Sequence, residues 1–159
     1  MSNPKSGFGF GILDLTAVVT LSLACSCTAA RPGPPAIVVD RTACSHCTML
    51  VSEVAYAAAY QVPGEEARVF DDIGCMLEAM RRAGLRGDRD MRAWFHDAAD
   101  RKWIEGDGTV FIVASEIRTP MGGGIVAYRD AAHAEAAAAQ HHGKVVRSIS
   151  ELLNQKGEQ

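Results

Sequence analysis

The chain has 159 residues, with 16 basic and 19 acidic side chains that give a formal net charge of −3 at pH 7. The basic residues are scattered and form no positive stretch that could follow a phosphate backbone, which argues against nucleic acid as a partner. No nucleophile stands beside a general base, so we do not expect an enzyme. Residues 36–156 are enough for one compact core or two small subdomains.

The N-terminal segment predicts export. Residues 7–24 are mostly apolar and end in a small residue that is followed by Cys25 and Cys27. This is the arrangement of a bacterial lipoprotein signal, in which the cysteine is acylated and becomes the mature N terminus. We therefore predict a signal peptide over residues 1–24 and acylation of Cys25 in preference to Cys27. The preferred leucine is missing three positions before either cysteine, so an uncleaved anchor or a misassigned start codon stays open.

A short tether follows the predicted acylation site. Residues 28–35 are rich in proline and small side chains, which cannot pack a core. We assign residues 25–35 to the lipidated cysteine and this tether. We expect this tether to separate an anchor from an exported domain.

The exported domain alternates short strands with two clear helices. Asp72 is placed to cap a helix whose apolar residues recur at helical spacing until Gly84 ends it. Asp130 caps a second, alanine-rich helix that ends at Gly143. Strands are predicted at residues 37–39, 49–51, 68–70, 91–96, 109–114, 125–128 and 145–146, with a helical turn at 150–153 and an ambiguous segment at 54–62.

The two halves of the domain share one order of elements. In each half a strand ends at an aromatic residue, Phe70 or Tyr128, and an aspartate, a helix, a glycine and another strand follow. We interpret this order as a degenerate repeat of a strand-strand-helix-strand unit. The predicted fold class is α+β, with one small ββαβ unit over residues 36–97 packed against a related ββαβ unit over residues 98–156.

The strongest chemical signal is the run from Cys44 to Met49, which holds two thiols, an imidazole and a thioether. Thiolates and thioethers are soft ligands, and methionine beside cysteine favours Cu(I) over harder ions. If the run leads into the strand predicted at residues 49–51, Cys47 and Met49 project from the same face. The sequence thus predicts a copper site that includes Cys47 and Met49.

Two other interpretations of Cys44 and Cys47 stay open. A C-x-x-C pair also occurs in structural zinc sites and in redox disulfides. A zinc site needs a second ligand pair, and the chain offers only Cys75 and scattered histidines. A thioredoxin-type site needs the pair at the start of a helix after a long apolar strand, which the sequence does not predict here.

Met121 precedes three consecutive glycines in the second half of the domain. It lies in the zone that corresponds to Cys47 and Met49 of the first half, so a third soft ligand could approach across the interface between the units. The glycines allow a close backbone approach and positive φ angles, which suits a mobile loop that gates a metal site. The alternative is a glycine-rich hairpin with an incidental methionine.

Other residues are interpreted as structural. Cys75, in the first turn of the first helix, is expected to be a buried thiol and not a ligand. Asp71 and Asp72 are expected to serve the strand-to-helix turn and the helix cap. Trp94 and Trp103 are expected in the core or between the subdomains.

Four stretches of the domain resemble the NosL family of copper-binding lipoproteins. They are Cys44-x-x-Cys47-x-Met49, Phe70-Asp71-Asp72-Ile73-Gly74-Cys75-Met76, Thr119-Pro120-Met121-Gly122-Gly123-Gly124-Ile125-Val126-Ala127-Tyr128 and Gly143-Lys144-Val145-Val146. The resemblance implies a periplasmic Cu(I) chaperone, lipid-anchored to a bacterial membrane, that serves assembly of the copper centres of nitrous oxide reductase in denitrification. The direct copper acceptor would be an ABC-type assembly complex or the reductase itself.

The resemblance also implies a ligand set. Cys47 and Met49 match the family's cysteine-x-methionine pair, and Met121 matches a third ligand. Family members often have glycine where Thr48 stands and methionine where His46 stands. An imidazole at position 46 adds a nitrogen donor, so His46 is a secondary candidate, as is Cys44.

Two functions from different classes follow from these residues. The first is delivery of Cu(I), bound by Cys47, Met49 and Met121 and passed to a partner by ligand exchange. The second is a thiol-disulfide reductase in which Cys44 and Cys47 act on cysteines of an exported metalloprotein. The methionines favour delivery, because thiol chemistry does not use thioethers.

Overall fold

The computed structural model describes residues 33–87 and 90–155. The predicted signal peptide over residues 1–24, the two candidate acylation sites Cys25 and Cys27, and most of the predicted tether lie outside the described residues. Within the described part of the chain, no helix is both long enough and apolar enough to cross a membrane.

The first sheet has four antiparallel strands in the order β2-β1-β3-β4. They are β1 (Ala58–Gln61), β2 (Arg68–Phe70), β3 (Arg92–His96) and β4 (Trp103–Glu105), and a turn of 3-10 helix at Val54–Tyr56 precedes β1. Consecutive residues of β1 and β3 are buried. Both faces of this sheet are therefore covered where these two strands run through its centre.

Helix α1 (Ile73–Ala83) connects β2 to β3 and confirms the sequence-based prediction of its ends. The Asp72 side chain accepts a hydrogen bond from the backbone N–H of Gly74, and Gly84 ends the helix in a left-handed conformation. The buried residues of α1 include Ile73, Met76, Leu77 and Met80, which recur at helical spacing. These side chains pack α1 against the core. Because β2 ends at Phe70 and α1 begins at Ile73, the first turn of α1 lies beside the end of β2.

The second sheet has three antiparallel strands in the order β6-β5-β7. They are β5 (Val110–Val113), β6 (Ile125–Tyr128) and β7 (Lys144–Val146), and the helices of this part are α2 (Ala131–Gln140) and α3 (Ile149–Asn154). Asp130 caps α2 as predicted, and Ser148 caps α3. The fold is α+β, with two sheets and three α-helices in the described residues.

The two sheets share one hydrophobic core. Phe95 of β3 packs edge to face on Phe111 of β5, with ring centroids 4.8 Å apart. A parallel bridge pairs Asp97 with Ala127, and the N–H of Ala98 donates to the Ala127 carbonyl over 2.8 Å. The ring contact and the backbone bridge therefore join the two halves of the domain directly.

The element order can be compared with the two predicted units. The series β1, β2, α1, β3 and the series β5, β6, α2, β7 follow one order, and in each sheet the first strand of the series lies between the other two. The predicted boundary after residue 97 precedes β4, which pairs with β3 of the first sheet. The sequence did not predict β4, because its three residues carry too short a pattern to be recognised without their partner strand.

The strands predicted at residues 37–39 and 49–51 are not present. Residues 37–39 run into a turn in which the Val38 carbonyl accepts from the N–H groups of Arg41 and Thr42. The second segment forms an isolated bridge between Ala43 and Leu50 and a few backbone hydrogen bonds to residues 40–44, but no regular strand. Thr48 explains the second error. Its φ of 66° is left-handed, which breaks the extended conformation just before Met49.

The left-handed conformation of Thr48 generates a prediction about stability. A side chain in this region costs about 1 kcal/mol, which glycine avoids. Thr48→Gly should therefore have a free energy of unfolding about 1 kcal/mol higher than that of Thr48→Ala, measured by chemical denaturation. In α2, where the backbone is right-handed, Ala136→Gly is the matched control and should destabilise the protein by a similar amount. Equal stability of the two Thr48 variants would contradict the described loop.

Candidate metal centre

Residues 44–49, here called the cysteine loop, form a tight closed turn. The N–H of Cys44 donates to the Met49 carbonyl over 2.7 Å, and the N–H of Thr48 donates to the Cys44 carbonyl over 3.0 Å. The N–H of Ser45 donates to the carbonyl of Val69 in β2 over 2.8 Å. The loop is thus fastened to the strand that leads directly into α1.

The expectation that Cys47 and Met49 share one face of a strand is wrong, because the chain turns at Thr48 between them. Cys47 is half-buried and lines a cavity. Met49 is 56% exposed and does not line that cavity. A ligand role for Met49 stays a prediction, and it would require the flexible thioether side chain to swing towards Cys47.

Three thiols form the cluster at the centre of this site. The Sγ atoms of Cys44, Cys47 and Cys75 all lie within 4.8 Å of one another, and all three cysteines are free. Cys44 is 1% exposed and Cys75 is 5% exposed. Cys75 is buried as the sequence predicted, but it faces the other two thiols, which the sequence did not predict. No spacing along the chain signals this contact, because it depends on the hydrogen bond that joins the cysteine loop to β2.

The thiol cluster has the dimensions of a soft-metal site. A metal–sulfur bond of about 2.3 Å places three sulfurs around one ion about 4 Å apart, which the separation of up to 4.8 Å approaches. Sulfur donors of this kind suit Cu(I), zinc and iron–sulfur chemistry. His46 lines the same cavity but does not belong to the cluster. Among the residues that the structure describes, the cluster therefore offers three ligands, one fewer than the four that close a tetrahedron around structural zinc.

The pKa values of the Cys44 and Cys75 thiols shift in opposite directions because the two thiols lie in different surroundings. Burial acts to raise the pKa of Cys44, but hydrogen bonds from backbone N–H groups of Cys47, Asp71 and His46 and from the Cys47 thiol lower it below its usual value. Burial raises the pKa of Cys75 far above the usual range, and negative charge on Cys44 and Cys47 raises it further. Of these two thiols, Cys44 therefore loses its proton more readily than Cys75.

A cavity of about 930 Å³ opens beside the cluster between the first half of the domain and the second. Its wall from the first half includes His46, Cys47 and Cys75, and its wall from the second half includes Met121. Met121 is 42% exposed. The structure therefore places Cys47 and Met121 on one cavity, and a ligand role for Met121 stays a prediction.

The Asp72 carboxylate positions the loop that carries Met121. Asp72 is fully buried; one oxygen caps α1, and the other accepts a hydrogen bond from the Thr119 hydroxyl. The same oxygen lies 3.4 Å from the donating N–H of Met121, and Gly124 N–H donates to the Thr119 hydroxyl over 3.2 Å. One carboxylate thereby joins the start of α1 to residues 119–124.

Asp71 performs the corresponding task for the segment after the cysteine loop. Its side chain is 2% exposed, and its Oδ1 accepts from the backbone N–H of Ser52 over 2.9 Å. The Ser52 hydroxyl lies 3.5 Å from the same oxygen. The two aspartates therefore hold the segments on both sides of the site, which agrees with their interpretation as structural residues.

Glycines allow the Met121 loop to lie directly on α1. A Cβ atom at Gly123 would lie 3.1 Å from Asp72 Oδ1 and 3.5 Å from the Cα of Gly74. Gly124 has a φ of 59°, and a Cβ atom there would collide with the Ala114 carbonyl. The predicted close approach and positive φ are thus present, while gating by this loop remains a prediction.

Comparisons with known proteins agree with this architecture. No curated protein matches the sequence significantly. The crystal structure of the copper chaperone NosL from Shewanella denitrificans is similar in fold, with a TM-score of 0.61 and 20% sequence identity over 73% of this chain and 94% of that chain. The NosL family model matches residues 35–152, which include both sheets, the thiol cluster and Met121. With most of its length matched in this way, the chain belongs to the NosL family.

Proposed function

We propose that this protein binds Cu(I) and delivers it for maturation of nitrous oxide reductase. The observation that carries the proposal is that Cys47, half-buried, and Met121, exposed, line one cavity from opposite halves of the domain. Membership of the NosL family and the solved copper chaperone of similar fold support it. The direct acceptor is an ABC-type assembly complex or the reductase itself.

The donor set explains how copper can be both held and released. One thiolate at Cys47 balances the single charge of Cu(I), and thioethers from Met121 and Met49 add soft donors without adding charge. The thioethers are the exposed ligands, because Met121 is 42% and Met49 is 56% exposed. A partner's thiolate or imidazole can therefore replace the two thioethers one at a time before Cys47 releases the ion.

The backbone hydrogen bonds that lower the pKa of Cys44 favour a second candidate, a thiol-disulfide reductase. A Cys44 thiolate would attack a partner's disulfide and form a mixed disulfide, and Cys47 would then displace the partner and leave a Cys44–Cys47 disulfide with two reduced thiols on the partner. Cys44 is only 1% exposed, however, which keeps a protein disulfide away from its sulfur. We therefore propose copper delivery in preference to disulfide reduction.

The ligand set is tested by anaerobic Cu(I) titration against a competing chelator. We expect one Cu(I) per monomer, at least a hundredfold loss of affinity for Cys47→Ser and a loss of about tenfold or more for Met121→Ala, since each tenfold step is about 1.4 kcal/mol. Excess Zn(II) should not displace the copper. Met80→Leu replaces a buried methionine of α1 and is the matched control. Unchanged affinity in a Met49→Ala/Met121→Ala variant would show that the thioethers are not ligands.

Delivery is tested in the native host by the metal content of nitrous oxide reductase. Cells that produce the Cys47→Ser variant should yield reductase depleted in copper, whereas cells with Met80→Leu should yield reductase with the full complement. The copper content of the purified enzyme is measured by mass spectrometry of the metal. Reductase with full copper from Cys47→Ser cells would contradict the proposal.

We further propose that the mature protein is anchored on the periplasmic side of a bacterial membrane through a diacylated Cys25 or, second in order, Cys27. The proposal rests on the apolar run followed by a small residue and cysteine. Intact-mass spectrometry of the membrane fraction should show a chain that begins at the acylated cysteine. Cys25→Ser should abolish the lipid mass while Cys27→Ser retains it. A soluble product without lipid would contradict this anchor.

A further inference from the structure

The thiol cluster contains more sulfur than the proposed delivery site uses. Cys47 is the only one of the three cysteines assigned to that site, together with Met121 and Met49. Cys44 and Cys75 lie behind Cys47, and they are almost fully buried. Their Sγ atoms are nevertheless within 4.8 Å of each other and of the Cys47 Sγ.

We propose that Cys44, Cys47 and Cys75 form a second, inner position for Cu(I). The ion reaches this position from the outer one, made by Cys47, Met121 and Met49, by exchanging thioethers for thiols while Cys47 stays bound. Each thiol that becomes a ligand releases its proton to water, and the copper keeps its oxidation state. The inference rests on the proposed function, since it assumes that Cys47 binds Cu(I).

The geometry of the inner position is fixed by secondary structure. The closed cysteine loop holds Cys44, and its Ser45 N–H is bonded to β2. Cys75 is the third residue of α1, whose start is fixed by the Asp72 cap. The three sulfurs are therefore brought together before any metal arrives, and only small side-chain adjustments separate them from the spacing of about 4 Å around one ion.

Charge decides which position binds more tightly. Three thiolates around one monovalent cation leave negative charge in a buried place, which costs free energy. Backbone N–H groups of Cys47, Asp71 and His46 point to the Cys44 sulfur, and the positive end of the α1 dipole lies at Cys75. These groups reduce the cost without removing it. The outer position, with one thiolate and neutral thioethers, is therefore the stronger, and the inner one holds copper when Met121 is withdrawn.

Two positions that share one ligand predict a specific pattern of affinities. Cys75→Ala should change Cu(I) affinity by less than threefold while Met121 is present, because the outer position dominates. In a Met121→Ala background, where the inner position carries the remaining affinity, Cys75→Ala should lower affinity by tenfold or more. This dependence of one substitution on the other distinguishes two alternative positions from one joint site.

The experiment is an anaerobic Cu(I) titration with a competing chelator. The full-length chain carries Cys25→Ser and Cys27→Ser, so that Cys44, Cys47 and Cys75 are its only cysteines. Cys75→Ser is measured alongside Cys75→Ala, and thermal unfolding shows that each variant is folded. Met76→Leu, a buried α1 neighbour of Cys75, is the matched control in both backgrounds. Ultraviolet thiolate-to-copper absorption per bound ion should increase when Met121→Ala shifts copper inward.

Each outcome separates the two proposals. No effect of Cys75→Ala or Cys75→Ser in the Met121→Ala background overturns the inner position and leaves the proposed delivery site intact. A tenfold loss from Cys75→Ala with Met121 present also overturns it, because Cys75 would then be a ligand of the main site. Wild-type affinity in Cys47→Ser would overturn the proposed function itself.

Discussion

The buried carboxylate of Asp72 is the interaction on which the candidate site depends. Its two oxygens serve two parts of the chain, since one caps α1 and the other accepts hydrogen bonds from Thr119 and Met121. The cap fixes the first turn of α1 and with it Cys75, while the second oxygen fixes the loop of Met121. A single charged group thus sets the position of one thiol and one thioether relative to each other. Hydrogen bonds to a charged group contribute about 1.5–3 kcal/mol each. The contact of Asp72 with the Met121 loop is therefore more stabilising than hydrogen bonds between neutral groups on an exposed loop.

The candidate donors of this site come from both halves of the domain. All three thiols belong to the first half, on the cysteine loop and on α1, whereas Met121 belongs to the second half. The interior of the cluster holds the acidic Cys44 thiol and the weakly acidic Cys75 thiol, and the cavity side presents Cys47 and an exposed thioether. The thiol of lowered pKa therefore lies beneath backbone N–H groups, and the exposed thioether of Met121 lies on the cavity side.

The sequence predicted those features that depend on local chemistry. The caps Asp72 and Gly84 and the apolar period between them defined α1, and the run from residue 125 to 128 matched β6. The sequence-based predictions were wrong where contacts between distant residues determine the structure. The left-handed Thr48, a conformation that a β-branched residue seldom adopts, turned an expected strand into a closed loop. The place of Cys75 in the cluster depends on the contact between that loop and β2, which spacing along the chain does not reveal.

The close contact of Gly123 with the start of α1 bears on how this site tolerates sequence change. The Met121 loop approaches Asp72 and Gly74 through main-chain atoms, and a Cβ atom at Gly123 would lie only 3.1 Å from Asp72 Oδ1. The position of the Met121 thioether relative to the thiols therefore depends on this close backbone contact. Substitutions elsewhere around the cavity can then alter its polarity while the spacing of the sulfur atoms stays the same.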